Sequence, residues 1–220
     1  MKMPTVIMAA VAAASVALGA APSPPPASEF SARVDNPWFP LQPGTRYVSV
    51  GVRDGQPARD VMTVTHRTTT IDGVPCVVVA DRLYLRGRLA ERTTDWYSQD
   101  KAGNVWYFGE DTAELDKAGK VTSTSGTWQA GANRARPGIF MSAHPKVGQS
   151  FQQEFAKGEA EDHFKVIAVL GANAVSTREW TPLEPGTLDS KTYVRGVGTV
   201  LELTVKGGDE RLELVSMTKG

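Results

Sequence analysis

The feature that most constrains the fold is a long series of short β-branched segments separated by turns that contain glycine. The turns include Asp54-Gly55, Asp72-Gly73 and the segment 206–209, and no stretch keeps the three- and four-residue apolar spacing of a long helix. A flat sheet of about ten or more strands curls or splits. The chain is therefore predicted to be all-β, a strongly curved antiparallel meander that forms a half-barrel or barrel with few short helices.

An aromatic hairpin occupies the centre of the chain. Two strands between Asp95 and Asp111 flank a turn at residues 100–104, and the turn contains a glycine. The aromatic side chains proposed as ligand-binding residues are Trp96, Trp106, Tyr107 and Phe108. Such rings bury large areas and pair across strands, so they can form a packing centre or line a ligand cavity. Both interpretations stay open at this point.

The N-terminal sequence predicts export. Residues 1–21 combine Lys2, an apolar stretch and small residues, as a secretory signal does, and cleavage after Gly19 fits better than cleavage after Ala21. Residues 22–29 form a Pro-rich linker, and residues 30–220 form a single β domain. The expected location is secreted or periplasmic, with no integral membrane segment once the signal is removed.

Composition argues against nucleic acid as a partner. The chain has 24 basic and 24 acidic residues and no basic run. Cys76 is the only cysteine and is followed by three valines, so we expect a buried structural thiol without a disulfide.

Two histidines and a carboxylate suggest a metal site. His144 lies in a predicted long loop, residues 129–145, with a possible helical turn at 139–143. His163 follows the acidic turn that contains Glu161. Imidazole and carboxylate groups suit zinc, but the spacing matches no known metal motif, and a solvated turn also explains the acidic residues.

Other catalytic or cofactor chemistry has weaker support. Asp95, Glu110 and Asp111 could supply a carboxylate pair for glycoside hydrolysis, but carboxylates at strand ends are usually surface charges. The segment 100–104 lacks most of the ligands of a calcium loop. No phosphate loop, dinucleotide fingerprint or nucleophile elbow occurs, so no cofactor is predicted.

One local sequence occurs twice. Residues 38–45 match residues 180–187 at most positions, each with Trp, Pro, Leu, Pro, Gly and Thr in the same order. The similarity does not extend into the flanking strands, so we interpret it as two similar turns, each placing a Trp and a Leu under an edge of the sheet.

Four motifs together resemble a family of exported bacterial proteins of unknown function. The motifs are Asn-Pro-Trp-Phe-Pro-Leu at 36–41, Gly-Asn-Val-Trp-Tyr-Phe-Gly-Glu at 103–110, Ala-His-Pro-Lys-Val-Gly at 143–148 and Gly-Val-Gly at 196–198. The strand pattern is also similar to that of the half-barrel periplasmic lipoprotein carriers. The resemblance implies no catalytic residues, and similarity of fold alone does not imply a carrier function.

Two functional hypotheses follow. The first is a non-enzymatic exported binding protein for an apolar or amphiphilic ligand or for an envelope partner protein. The second is a metal-binding protein or metal-dependent hydrolase that uses His144, His163 and Glu161. A purely structural envelope domain is a third possibility.

Overall fold

The computed structural model describes residues 23–220, which form a single antiparallel sheet of sixteen strands. A short 3-10 helix at Ala27–Glu29 precedes the first strand, and the predicted signal sequence lies outside the described residues. The strands are β1 (Phe30–Ser31), β2 (Arg46–Arg53), β3 (Gln56–Ile71), β4 (Val74–Leu85), β5 (Arg88–Asp100), β6 (Val105–Leu115), β7 (Val121–Ser123), β8 (Trp128–Gln129), β9 (Arg136–Met141), β10 (Ser150–Gln152), β11 (Glu154–Phe155), β12 (His163–Leu170), β13 (Ala174–Trp180), β14 (Leu188–Val194), β15 (Gly198–Lys206) and β16 (Arg211–Thr218).

The sheet curls into a nearly closed barrel, which confirms the predicted fold class. Its order is β10-β12-β13-β14-β15-β16-β2-β3-β4-β5-β6-β9-β11. The two ends of this order, β10 and β11, are separated in the chain only by Gln153. One short segment, residues 150–155, therefore pairs with β12 on one side and with β9 on the other, and we call this place the seam of the barrel.

Tight turns connect the long strands β2 to β5. Asp72 and Gly73 join β3 to β4 with φ of 48° and 77°, and two-residue turns of the same kind join β2 to β3 and β4 to β5. Positive φ at both turn residues is the conformation whose twist matches that of the flanking strands. The predicted turns at Asp54-Gly55 and Asp72-Gly73 are confirmed.

The aromatic hairpin is a packing centre of the molecule. β5 pairs with β6 around the predicted turn, and Trp106, Tyr107 and Phe108 are each at most 5 % exposed. The Asp100 carboxylate accepts hydrogen bonds from the Asn104 backbone N–H, the Asn104 side-chain amide and the Trp106 indole. These donors explain why an acidic residue is buried in this turn.

The other detailed expectations have mixed outcomes. Cys76 is a buried free thiol as expected, and burial raises its pKa to about 12. The helical turn predicted at 139–143 was wrong, because residues 136–141 form strand β9. The same strand interrupts the long loop predicted at 129–145. Among residues 23–220, no helix combines the length and the hydropathy that a membrane span needs.

Candidate functional site

The barrel interior contains two connected cavities. The first has a volume of about 280 Å³, and we call it the aromatic chamber because its lining includes Phe39, Tyr47, Tyr97, Tyr107 and Phe140. The second, of about 420 Å³, is called the acidic chamber. Eight residues line both chambers, so the two volumes share a wall inside the barrel.

The aromatic side of the first chamber is built by the neighbouring strands β5, β6 and β9 and by the N-terminal segment. Tyr97 on β5 stacks on Tyr107 on β6 with ring centroids 4.7 Å apart. Phe140 on β9 lies 4.5 Å from Phe39 and 5.2 Å from Tyr97. The Tyr47 hydroxyl donates a hydrogen bond of 3.0 Å to the Pro40 carbonyl, which holds the N-terminal segment against this end of the cavity. The result is a packed aromatic surface suited to an apolar group.

The remaining wall is dominated by carboxylates. Nine acidic side chains line the aromatic chamber, against two basic ones, Arg53 and Lys191. The acidic residues are Asp60, Asp81, Glu91, Asp95, Glu154, Asp162, Glu179, Glu202 and Glu210. The acidic chamber is lined by eleven acidic side chains and the same two basic ones. The walls of both chambers are therefore far richer in carboxyl groups than in basic groups, whereas the chain as a whole has equal numbers of the two.

Both interior cations are already paired with carboxylates. The Lys191 Nζ atom on β14 lies 3.2 Å from Glu179 on β13 and 3.7 Å from Glu202 on β15. The guanidinium of Arg53 lies 3.1 Å from Glu210 and 3.9 Å from Glu91. Each cation is shared by two carboxylates, and most of the other interior carboxylates have no cationic partner within salt-bridge distance among residues 23–220.

Burial shifts the ionisation of the interior carboxyls. Burial and the nearby Asp81 raise the pKa of Asp95 to about 7, although the Tyr107 hydroxyl donates a 2.6 Å hydrogen bond to it that favours the ionised form. Burial also raises the pKa of Glu110 to about 9, with a further contribution from Glu154. Burial and the adjacent Asp81 raise the pKa of Asp60 as well. Desolvation disfavours the charged form of each group, so several of these carboxyls retain protons near neutral pH.

Glu154 occupies the most unusual position in the site. It is 7 % exposed and lines both chambers, and burial raises its pKa well above the usual value. The indole Nε1–H of Trp128 lies near enough to lower that pKa, yet it is buried without a hydrogen-bond partner among the described residues. Glu154 is thus a buried carboxyl at the seam that faces open cavity volume.

The structure distributes the predicted ligand-binding aromatics over both faces of the hairpin. Tyr107 lines the aromatic chamber. Trp106 and Phe108 instead contact Phe30 edge-on, with centroids 5.9 Å and 5.3 Å from it, on the other face of β6. Trp96 is partly buried against the core and does not line either chamber. A ligand in the barrel would therefore contact Tyr107 and not the other three.

The predicted metal ligands are not brought together. His144 is exposed. His163 stacks on Trp180 at 5.4 Å, and burial lowers its pKa, while a Glu161 carboxylate oxygen accepts a hydrogen bond from the Gly158 backbone. Within residues 23–220, no three His, Cys, Asp or Glu side chains lie in an arrangement that could hold a metal ion.

The carboxylates considered for glycoside hydrolysis are only partly in the site. Asp95 on β5 is the register partner of Glu110 on β6, and these two residues line different chambers. Asp111 is exposed.

Sequence reasoning missed most of the interior charges, including Asp60, Glu154, Glu179, Lys191 and Glu202. The one available signal was period-two alternation, as in Glu202 between Leu201 and Leu203. That pattern shows that the two faces of a strand differ, but it does not show which face lines a cavity.

Comparisons with known proteins add little to this geometry. No protein-family model and no curated protein matches the chain. A solved structure described as a "putative lipoprotein" from Parabacteroides distasonis ATCC 8503 aligns with 84 % of this chain and 100 % of its own, at 9 % identity and a TM-score of 0.42. This similarity is too low to carry an inference about function.

Proposed function

We propose that the protein is an exported, non-enzymatic binding protein that holds a small amphiphilic molecule inside the barrel. The observation that carries this proposal is the aromatic chamber, in which a cluster of packed rings faces a wall of charged side chains. An amphiphilic molecule has an apolar part that can contact the rings and a polar part that can face the charged side chains. Export is proposed from the N-terminal residues 1–21 and places the protein in the periplasm or outside the cell.

The dimensions of the interior support a small molecule as the occupant. Ligand cavities commonly have volumes of about 300–1,000 Å³ and combine apolar walls with a few polar groups. The aromatic chamber has about 280 Å³, and the adjoining acidic chamber has about 420 Å³. A partner protein of the cell envelope, the other binding role considered, would use the outer surface and would not need this interior volume.

The metal-dependent hydrolase is not favoured by the arrangement of side chains. His144 is exposed, and His163 is stacked against Trp180. The described residues contain no three-ligand group for an ion. We therefore place the binding function in the barrel interior and not at these histidines.

The proposal is tested by filling the chamber with a large side chain. Ser49 and Val50 are neighbours on β2, and Ser49 lines the aromatic chamber whereas Val50 is 39 % exposed. Ser49→Trp should occupy the cavity, and Val50→Trp adds the same side chain on the outer face. The measurement is the fluorescence of the neutral apolar probe N-phenyl-1-naphthylamine in a titration with the mature protein.

We expect the wild type and Val50→Trp to bind the probe with similar affinity and Ser49→Trp to bind it at least about tenfold more weakly. Circular dichroism checks that both variants keep the fold. Failure of the folded wild type to bind the probe would contradict the proposal, as would equal binding by the two variants.

A further inference from the structure

The aromatic chamber contains more carboxyl groups than its own cations can pair with. The aromatic chamber has nine acidic side chains for two basic ones. Lys191 is held between Glu179 and Glu202, and Arg53 lies between Glu210 and Glu91. Neither cation is near enough to Glu154 to form an ion pair. The interior therefore has carboxyl groups without a cationic partner next to an apolar surface.

A second, independent observation concerns the partners of Glu154. The side chain is more than nine-tenths buried and faces both chambers. Within residues 23–220, neither Lys191 nor Arg53 forms an ion pair with its carboxylate. The indole Nε1–H of Trp128 lies near enough to lower its pKa and is itself buried without a hydrogen-bond partner. Buried polar groups normally have partners, because an unsatisfied one costs free energy. This carboxyl is therefore placed as a ligand-binding group would be.

The backbone holds Glu154 in this position. It pairs with Pro137 across the seam, and its carbonyl accepts a 2.7 Å hydrogen bond from the Gln152 side chain. The next residue, Phe155, faces the other way and lies under the guanidinium of Arg136, 4.7 Å from the ring centroid. Because neighbouring residues of a strand point to opposite faces, this contact orients Glu154 inward.

The distribution of the carboxylates favours an organic cation over a metal ion. A calcium ion needs about six to eight oxygen ligands in one shell. No such cluster occurs among the described residues, and the interior carboxylates come from many different strands. A positively charged group attached to an apolar chain could place its charge beside Glu154 and its chain against Tyr97, Tyr107 and Phe140, whose ring faces also attract cations.

We propose that the ligand of this barrel is an organic cation, a molecule that joins a primary amine or a guanidinium to an apolar chain, with Glu154 as its main anionic partner. This inference rests on the proposed binding function and names the chemical class of the ligand.

Binding of a cation beside Glu154 should change the protonation of its carboxyl. Burial, Asp162 and Asp95 raise the pKa of its carboxyl, while Trp128 and Lys191 act in the opposite direction. A bound cation favours the ionised form, so it should displace the proton. Binding of an amine should therefore release protons, and binding of a neutral analogue should not.

The test uses three probes with the same eight-carbon chain: n-octylammonium, n-octanol and n-octanoate. Isothermal titration of the mature wild-type protein, repeated in buffers of different ionisation enthalpy, gives both affinity and proton release. We expect octylammonium to bind at least about tenfold more tightly than octanol and octanoate, with proton release for octylammonium alone.

A matched pair of variants then tests the role of Glu154. Glu154→Gln keeps the shape and removes the charge, and it should weaken octylammonium binding about tenfold while leaving octanol binding unchanged. Glu213→Gln on the exposed outer face of β16 should leave both unchanged. Because the three-probe comparison uses only the wild type, the proposal remains testable if a variant fails to fold.

The outcomes separate this inference from the proposed function. Equal binding of the three probes, or preference for octanoate, would overturn the cationic ligand while supporting a binding chamber. Displacement of octylammonium by calcium or zinc at matched ionic strength would identify an inorganic cation and also overturn it. If the folded wild type bound none of the three eight-carbon probes and did not bind N-phenyl-1-naphthylamine, both proposals would be overturned.

Discussion

Asp95 is a residue whose environment opposes its charge. It is 8 % exposed, and the neighbouring carboxylates Asp81 and Glu91 add repulsion to the cost of burial. Tyr107 and Arg82 act in the opposite direction, the first through a short hydrogen bond. The balance raises the pKa of Asp95 from 3.8 to about 7. Between these two pH values, the folded protein holds a proton that the unfolded chain has released.

This difference predicts how stability depends on pH. Where the folded state binds more protons than the unfolded state, the free energy of unfolding falls as pH rises, so the contribution of Asp95 is full below about pH 4 and is lost by about pH 7. Asp95→Asn keeps the Tyr107 hydrogen bond and cannot ionise. Relative to the wild type, this variant should gain roughly 1–3 kcal/mol in free energy of unfolding between pH 5 and pH 8, measured by urea unfolding.

The control for this prediction is Asp111→Asn. Asp111 is an exposed carboxylate on the adjacent strand, so its substitution should change the free energy of unfolding by a similar small amount at each pH. If Asp95→Asn and the wild type differed by the same amount at pH 5 and pH 8, the proposed ionisation of Asp95 would be wrong.

At the scale of single elements, the seam closes the barrel with only a few residue pairs. β11 contributes two residue pairs to β9, and β10 contributes three to β12. Gly138 on β9 lies against the backbone of this segment, where an added Cβ would meet the Gln153 carbonyl oxygen at 2.5 Å. The close approach of the two backbones requires a residue without a side chain.

Gly138→Ala should therefore destabilise the protein by forcing the seam apart. We expect a loss of about 1–3 kcal/mol in the free energy of unfolding, the usual cost of overpacking, measured by urea denaturation. Gly186→Ala is the matched control, because no atom lies within 4 Å of a Cβ added there. Equal stability of the two variants would show that the backbones at the seam are not in close contact.

The same elements show what the sequence could and could not predict. The β2–β3 and β3–β4 hairpins follow from Asp-Gly turns between β-branched runs, and their positions were predicted correctly. The seam was not predictable, because β11 has two residues and β9 contains Pro137 and Gly138, which do not form a strand-like pattern. The repeated Trp-Pro-Leu segment was also misleading, since Leu41 is 1 % exposed and Leu183 is 43 % exposed.

At the scale of the whole molecule, the polarity of the interior could not be predicted from sequence patterns. A barrel that encloses a cavity can place charges inside and apolar residues outside, as Glu202 and Val205 on β15 illustrate, with Val205 44 % exposed. Alternation identifies two faces but is the same whichever face lines the cavity. The aromatic hairpin was therefore recognisable, whereas the acidic wall became visible only when the strands were closed into a barrel.

Closure by so short a seam predicts an uneven distribution of local stability. β3 and β4 are joined along most of their length, while β9 and β11 share two residue pairs, so the seam should open without global unfolding. In hydrogen–deuterium exchange mass spectrometry, peptides that cover Glu154–Phe155 should exchange at least about 100-fold faster than peptides that cover Val77–Val79.

Saturating octylammonium should slow the exchange at Glu154–Phe155, because the cation binds a residue of the seam and favours its closed form. Octanoate, the control ligand, should leave the exchange there unchanged, and uniform exchange across both regions would contradict a seam of low local stability.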